Sequence, residues 1–527
     1  MHQAEIIVLL FTVVAASVLV ARKIAVPYPI VLVIVGLVLS FIPRLPEVKL
    51  DPNIVFYFFL PPLIFPAALF TSWRDFRRNL RPIVMLAIGL VLFTMLVVAS
   101  VAHSLIPSLP WAAAFALGAI VSPPDAVAAT SVISRLPVPH RVVSILEGES
   151  LLNDATALVA LQFAVAALMT GKFSLGEASL RFIWAAAGGI GLGLLVGVAT
   201  RWVQRHLDDP PVQITISLLT PFLAYLPAER LHASGVLAVV TAGIYLGWYS
   251  PLILTARYRL QAYAFWEIVV FLLNGFVFMA IGLQLPEILK SLNGESLLSP
   301  IQNAVVISAA VVLVRIAWVF PGAYLSFLLH KKARRRESLP EWQDVAVMAW
   351  SGMRGVVSLA AAFALPLVLP NGSPFPGRNY ILFLTFSVIL VTLLFQGLTL
   401  PIVIQRLCVK PDTSTDEEER SARLKANQAA IESIENVRAS GKFSPDTVDR
   451  LRAEYDERVQ QLELCAQNPD DCRGEIATPQ YQRLQRQALR IERQTIIHLR
   501  NERVINDDAL RRIQRDLDLA EARLTGS

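Results

Sequence analysis

Cysteine is scarce. The chain of 527 residues holds three, Cys408, Cys465 and Cys472, all at or beyond the end of its apolar region and without the Cys/His spacing of a zinc site. No disulfide framework and no cysteine-held metal site follows from them. Charge is scarce too: 17% of residues are charged and 55% hydrophobic, whereas about a quarter of an average soluble protein is charged. A polytopic membrane protein follows. The formal net charge of +6 then has a topological reading, an excess of Lys and Arg in cytoplasmic loops, and calls for no nucleic-acid partner. The first apolar segment lacks a small-residue cleavage site and is expected to be a span, not a removable signal.

Apolar runs long enough to cross about 30 Å of hydrocarbon fall near 4–21, 24–43, 53–71, 82–104, 110–134, 144–169, 180–203, 212–227, 234–250, 264–285, 301–329, 342–369 and 380–406. About thirteen spans are therefore expected, an odd number that puts the termini on opposite sides. One set of alternate loops carries Arg22, Lys23, Arg74, Arg77, Arg78, Arg81, Arg135, Arg141, Arg205, Arg257, Arg259, Lys331, Lys332, Arg334, Arg335 and Arg336; the other carries only Arg44, Lys49, Lys172, Arg181, Arg230, Lys290 and Arg378. The richer set is assigned to the cytoplasm, with the N-terminus outside and the C-terminal tail inside.

The division expected is a transmembrane domain over 1–410 and a charged tail over 411–527. The tail opens with Asp416-Glu417-Glu418-Glu419 and has helix starts at Ser444-Pro445-Asp446 and Asn506-Asp507-Asp508, with apolar spacing at Leu510, Ile513, Leu517 and Leu524. A small cytoplasmic helical hairpin or bundle is expected, its charge runs forming solvated faces.

Within the sixth run stands Glu147-Gly148-Glu149-Ser150-Leu151-Leu152-Asn153-Asp154. An ionisable group at membrane depth is costly enough to point to function. Ser150, Asn153 and Asp154 sit at i, i+3 and i+4 and share one helical face. They offer hard oxygen ligands, suited to an alkali cation or a proton. Two runs are interrupted, one at Ser122-Pro123-Pro124-Asp125, where consecutive prolines remove backbone donors, and one at Ser351-Gly352-Met353-Arg354-Gly355. Irregular backbone at this depth is tolerated where it is buried in protein or lines a cavity, and in transporters such helices carry the ion site. The two breaks suggest inverted repeats. Glu149 and Arg354 are each too costly to bury alone and are expected to form an ion pair. Glu147, His103 and Glu267 are expected to meet water, Gly189, Gly193 and Gly197 to form a packing ridge, and Asn274 to bond between helices.

The stretch Glu149 to Asp154 resembles the signature of the monovalent cation/proton antiporters, specifically the sodium/proton exchanger branch with an Asn-Asp pair. Leu60-Pro61-Pro62-Leu63-Ile64-Phe65, the Pro-Asp break and Gly352-Met353-Arg354-Gly355 agree with it, so that the likeness covers about 4–408. It implies an all-α membrane protein with inverted repeats and two broken crossing helices. It also implies that Asp154 is the principal cation and proton carrier, with Asp125, Ser150 and the backbone at Pro124 completing the cation site and Asn153 orienting it. Glu149 and Arg354 are implied as the ion pair. No cofactor is expected, only the transported cation and proton, and the likeness further implies a homodimer. Two departures stand out. Pro66 occupies a place where an acidic residue is frequent, and Pro124-Asp125-Ala126 replaces Thr-Asp-Pro.

The expected activity is exchange of a monovalent cation, Na+ first and K+ as the alternative, for H+ across the cell inner membrane, serving pH and sodium homeostasis. Proton and cation compete for Asp154 and Asp125, and the Asn in place of a further carboxylate implies electroneutral one-for-one exchange. An intramembrane aspartyl protease is disfavoured by the absence of a Gly-x-Gly-Asp setting at Asp125 or Asp154. An organic-anion carrier is disfavoured by acidic residues at the break.

Overall fold

The computed structural model describes residues 3–24, 26–42, 51–133, 136–171, 175–291, 298–329, 341–370, 372–409, 414–439, 443–467, 479–502, 513, 514, 517 and 519. Outside them lie several positions used above: Arg44, Lys49, Arg135, Lys172, the basic cluster from Lys331 to Arg336, Cys472, and the last helix signals at Asn506-Asp507-Asp508, Leu510 and Leu524.

Among the described residues the structure is helical without strands; Val368 and Pro374 form an isolated bridge. Apart from short helices at Trp73–Arg78 and Leu285–Ser291 and those of the tail given below, the helices are α1 (Gln3–Lys23), α2 (Tyr28–Leu39), α3 (Pro52–Phe70), α4 (Leu80–Leu105), α5 (Trp111–Val121), α6 (Ala126–Ile133), α7 (His140–Thr170), α8 (Leu175–Arg205), α9 (Pro210–Arg230), α10 (Gly235–Ile253), α11 (Ala256–Leu283), α12 (Leu298–Leu329), α13 (Trp342–Trp350), α14 (Val356–Phe363) and α15 (Arg378–Arg406). Each expected apolar run falls on helix. Among the described residues nine helices are long and apolar enough to cross a membrane, and α2 and α5 are shorter apolar helices.

Local chemistry sets the boundaries. Pro29 starts α2 in its first turn, Ser234 caps α10 through Leu237 N at 3.2 Å, and Thr255 caps α11 through Tyr258 N at 3.3 Å. Gly171 ends α7 in the left-handed region at φ 66°. The ridge of Gly189 and Gly193 lets α8 lie directly on α10, since a Cβ at Gly193 would run into the carbonyl of Ala238.

Two helices are interrupted, α5/α6 at 122–125 and α13/α14 at 351–355. Between them lie six helices long and apolar enough to cross, α7 to α12. An even number of crossings between them is what inverted repeats require, since it sets the two interrupted helices in opposite directions. Two apolar cores result, and α7 serves both, giving Leu146 and Leu161 to one and Leu151 and Ala155 to the other.

The described helices fall into two compact units, Met1–Asp412 and Thr413–Ser527. The second contains α16 (Ser414–Ala439), α17 (Pro445–Gln467) and α18 (Pro479–Asn501). There α16 and α17 pack together, bridged by Arg438 to Asp449 at 3.2 Å and by Arg452 to Glu435.

Candidate ion-binding site

The site is built where the two breaks meet. Pro123 and Pro124 cannot donate backbone hydrogen bonds, so the chain leaves helix after Val121 and restarts with Asp125 as the cap: its Oδ1 accepts from Val127 N at 2.8 Å. The Asp125 N–H donates to Met353 O, inside the second break, at 2.7 Å. A Cβ at Gly355 would fall inside the Asp125 carboxylate, so only glycine permits the crossing. The carboxylate thus sits at the start of α14, where the helix dipole is positive.

Arg354 performs the opposite service. Its Nε donates to Val121 O, the last carbonyl of α5, at 3.1 Å, its Nη1 donates to Gly352 O, and its backbone N–H donates to Thr392 Oγ1 at 3.1 Å. A cation there compensates the negative end of α5 and carbonyls freed by the break.

Glu149 is paired with Arg315, not with the expected Arg354. Arg315 Nη1 reaches Glu149 Oε1 at 2.6 Å and Nη2 reaches Oε2 at 2.9 Å, while Nε donates to Met348 O at 3.2 Å. Both side chains are almost fully buried, at 0% and 1% exposure. The physical reason is geometric: the backbone of the second break fixes the Arg354 guanidinium against Val121 and Gly352, and a planar fork satisfies a carboxylate best when bidentate. Arg315 was missed in the sequence although it is the one charged residue in the run 301–329, a signal equal in kind to Glu149.

Asn153 joins α7 to the first break. Its Nδ2 donates to Pro124 O at 2.9 Å, fully buried. That carbonyl keeps one lone pair for another partner. Among the described residues Asn153 Oδ1 has no hydrogen-bond partner.

A cavity of about 910 Å³ opens beside this crossing, and Pro124, Asp125, Ser150, Asp154 and Gly355 share its wall. Asp125, Ser150 and Asp154 are half-buried, which leaves them accessible from it. Pro66 faces the same space with apolar neighbours Leu63, Ile64 and Ala67, so α3 contributes no carboxylate there. Glu147 and Glu267, expected simply to meet water, also line the cavity, as does Asn274. His103 stands apart, with Nδ1 against Leu109 O at 2.8 Å and its ring against Trp111. Two carboxylates, a hydroxyl and backbone carbonyls in one water-accessible hollow form a hard-oxygen set for a monovalent cation or a proton.

Comparison with known proteins agrees with this chemistry. Residues 7–406 match the family described as sodium/hydrogen exchanger, transmembrane. An uncharacterized Na(+)/H(+) exchanger of Mycobacterium tuberculosis is 37% identical over 525 residues, 98% of this chain and 96% of that protein. The uncharacterized Na(+)/H(+) exchanger YjcE of Escherichia coli is 33% identical, covering 95% and 94%. The fold is similar to that of the sodium proton antiporter MjNhaP1 of Methanocaldococcus jannaschii, with a TM-score of 0.58 at 20% identity over 76% of this chain and 97% of that one. With carboxylates at crossed helix breaks and a family match over nearly all of its membrane unit, the chain belongs to the sodium/hydrogen exchanger family and is a transporter, not an enzyme.

Proposed function

We propose that the chain exchanges a monovalent cation, Na+ first, for H+, one for one and without net charge movement, with Asp154 and Asp125 as the shared site. The observation that carries this reading is that both carboxylates stand in the wall of one cavity beside the crossed breaks. A bare pair of carboxylates in a low-dielectric site repel one another, and either a proton or a cation relieves that repulsion. The two therefore compete. If the loaded site can be exposed alternately to either side while the empty, doubly charged one cannot, exchange is obligatory. Ser150 and the free lone pair of Pro124 O supply further oxygens, and Asn153 fixes the first break in place. The membrane is the cell inner membrane, with the N-terminus outside and the tail in the cytoplasm, as the Lys and Arg distribution supports. The homodimer implied by the family resemblance belongs to the same proposal.

A K+-accepting variant has its own support. Pro66 leaves the site without a carboxylate from α3, and a relative from Bacillus pumilus, 34% identical over 81% of this chain, is named a sodium, potassium, lithium and rubidium/H(+) antiporter. Fewer charges bind a strongly hydrated small cation less selectively. Proton movement in proteoliposomes with the membrane potential clamped, on adding each alkali cation in turn, separates the readings. Sodium is expected to drive the fastest exchange, at a rate independent of the clamped potential, and its KM is expected to rise by up to ~tenfold per pH unit on the acid side as protons compete. A rate that follows the potential would contradict electroneutrality; no response to any cation would contradict antiport.

A further inference from the structure

Hydroxyls in these helices commonly donate to a carbonyl one turn back: Ser17 to Val13 O at 2.6 Å, Ser387 to Phe383 O at 2.8 Å and Thr156 to Leu152 O at 3.3 Å. Ser358 does not. It is the third residue of α14, so the residue four back is Arg354, in the second break, and the residue three back is Gly355, extended at φ −129° and ψ −160°. Ser358 is 2% exposed, and among the described residues its hydroxyl has no hydrogen-bond partner. It lies in the wall of the cavity together with Asp125, Asp154 and Gly355. On its other side the neighbouring side chains are apolar, with Ile120 of α5 and Ala157, Leu158 and Leu161 of α7 around a small void. The cavity is therefore the side on which the hydroxyl meets a polar partner.

The crossing sets how far Ser358 stands from the carboxylate. A Cβ at Gly355 would overlap Asp125 Oδ2, and residues i and i+3 at a helix start carry Cβ atoms about 5–6 Å apart. A hard cation of the radius of Ca2+, close to that of Na+, holds its oxygens at about 2.3–2.6 Å. One ion thus fills the span between the two side chains. We infer that Ser358 is a further cation-binding residue, its Oγ coordinating the transported ion opposite Asp125. The ion is then held by both interrupted helices, by Asp125 from the first and Ser358 from the second. The hydroxyl is a hard oxygen of the kind alkali cations prefer, and being uncharged it adds a ligand without adding to the repulsion between Asp125 and Asp154. In this chain that oxygen takes on added weight, because Pro66 brings none from α3. The inference rests on the cation/proton reading of the Asp125 and Asp154 site.

The test is the Na+ KM of Ser358→Ala and Ser358→Cys in proteoliposomes, measured by cation-driven proton movement beside the wild type, with each variant checked for an unchanged elution profile. Alanine removes the oxygen. Cysteine keeps a side chain of similar size but offers a soft sulfur, which a hard cation binds poorly. Both variants are expected to raise KM by about three- to tenfold, in line with losing one polar contact to a charge, with the maximal rate little changed. A KM raised in Ser358→Ala and restored in Ser358→Cys would overturn the inference in favour of packing, since cysteine returns volume and not oxygen. An unchanged KM in Ser358→Ala would overturn it outright, and a lowered KM would overturn it in favour of a hydroxyl that donates to Asp125 and competes with the cation. Any of these results with intact wild-type exchange leaves the antiport reading standing, whereas absence of wild-type exchange sinks both.

Discussion

At the scale of residues, the pairing of Glu149 with Arg315 carries a clear energetic consequence. Both groups are out of reach of water, and a bidentate bond plus the donation to Met348 O meets most of their bonding capacity. Removing one partner leaves the other charged and buried, which typically lowers stability by about 3–5 kcal/mol. Arg315→Gln is therefore expected to depress the melting temperature of the detergent-solubilised protein sharply, and Glu149→Gln in the same chain to restore much of it. Arg354→Gln is expected to show no such rescue, since its partners are backbone carbonyls that Glu149→Gln does not alter. Rescue of Arg354→Gln with none for Arg315→Gln would reverse this assignment. The acidic member of the pair was legible from its depth in the run 144–169, but the choice between two buried arginines depends on which one the crossing backbone already holds. Sequence order contains no such information.

At the scale of elements, the two interrupted helices compensate each other's ends. Asp125 lies at the start of α14 and Arg354 at the end of α5, each opposite in sign to the dipole it meets. The contact at Gly355 makes the arrangement sensitive to one methyl group. Gly355→Ala is expected to push Asp125 from its place and to reduce exchange by about a hundredfold while the protein still inserts and purifies as a folded species; exchange near the wild-type rate would show that the crossing tolerates a side chain. The first break was readable because two consecutive prolines forbid helix by chemistry. The second was weaker in sequence, since Gly352 and Gly355 permit a break without enforcing one; what enforces it is the bond from Asp125 N to Met353 O and the burial of Arg354. The glycine ridge of α8 was readable for a similar reason, small residues at helical spacing having one common use.

At the scale of the whole molecule, the apolar runs gave the helices their places, because length and hydropathy alone decide what can cross a bilayer. The cavity was not readable. It is made by residues from seven helices, α1, α2, α3, α6, α7, α11 and α14, and Glu147, Glu267 and Asn274 acquire meaning only once those helices are packed. The division into compact units predicts that a chain ending after Asp412 inserts, purifies and exchanges cation for proton within about twofold of the intact protein, since the family match ends at residue 406 and every residue of the site precedes it. A loss of exchange with the membrane unit still folded would assign the tail a part in transport. The central claim is that one carboxylate site in the cavity wall is occupied by cation and proton in turn. Its most direct test is Asp154→Asn in proteoliposomes, assayed by cation-driven proton movement beside the wild type and checked for an unchanged elution profile. The account predicts that proton movement is abolished while the folded protein persists; sustained exchange by Asp154→Asn would contradict it.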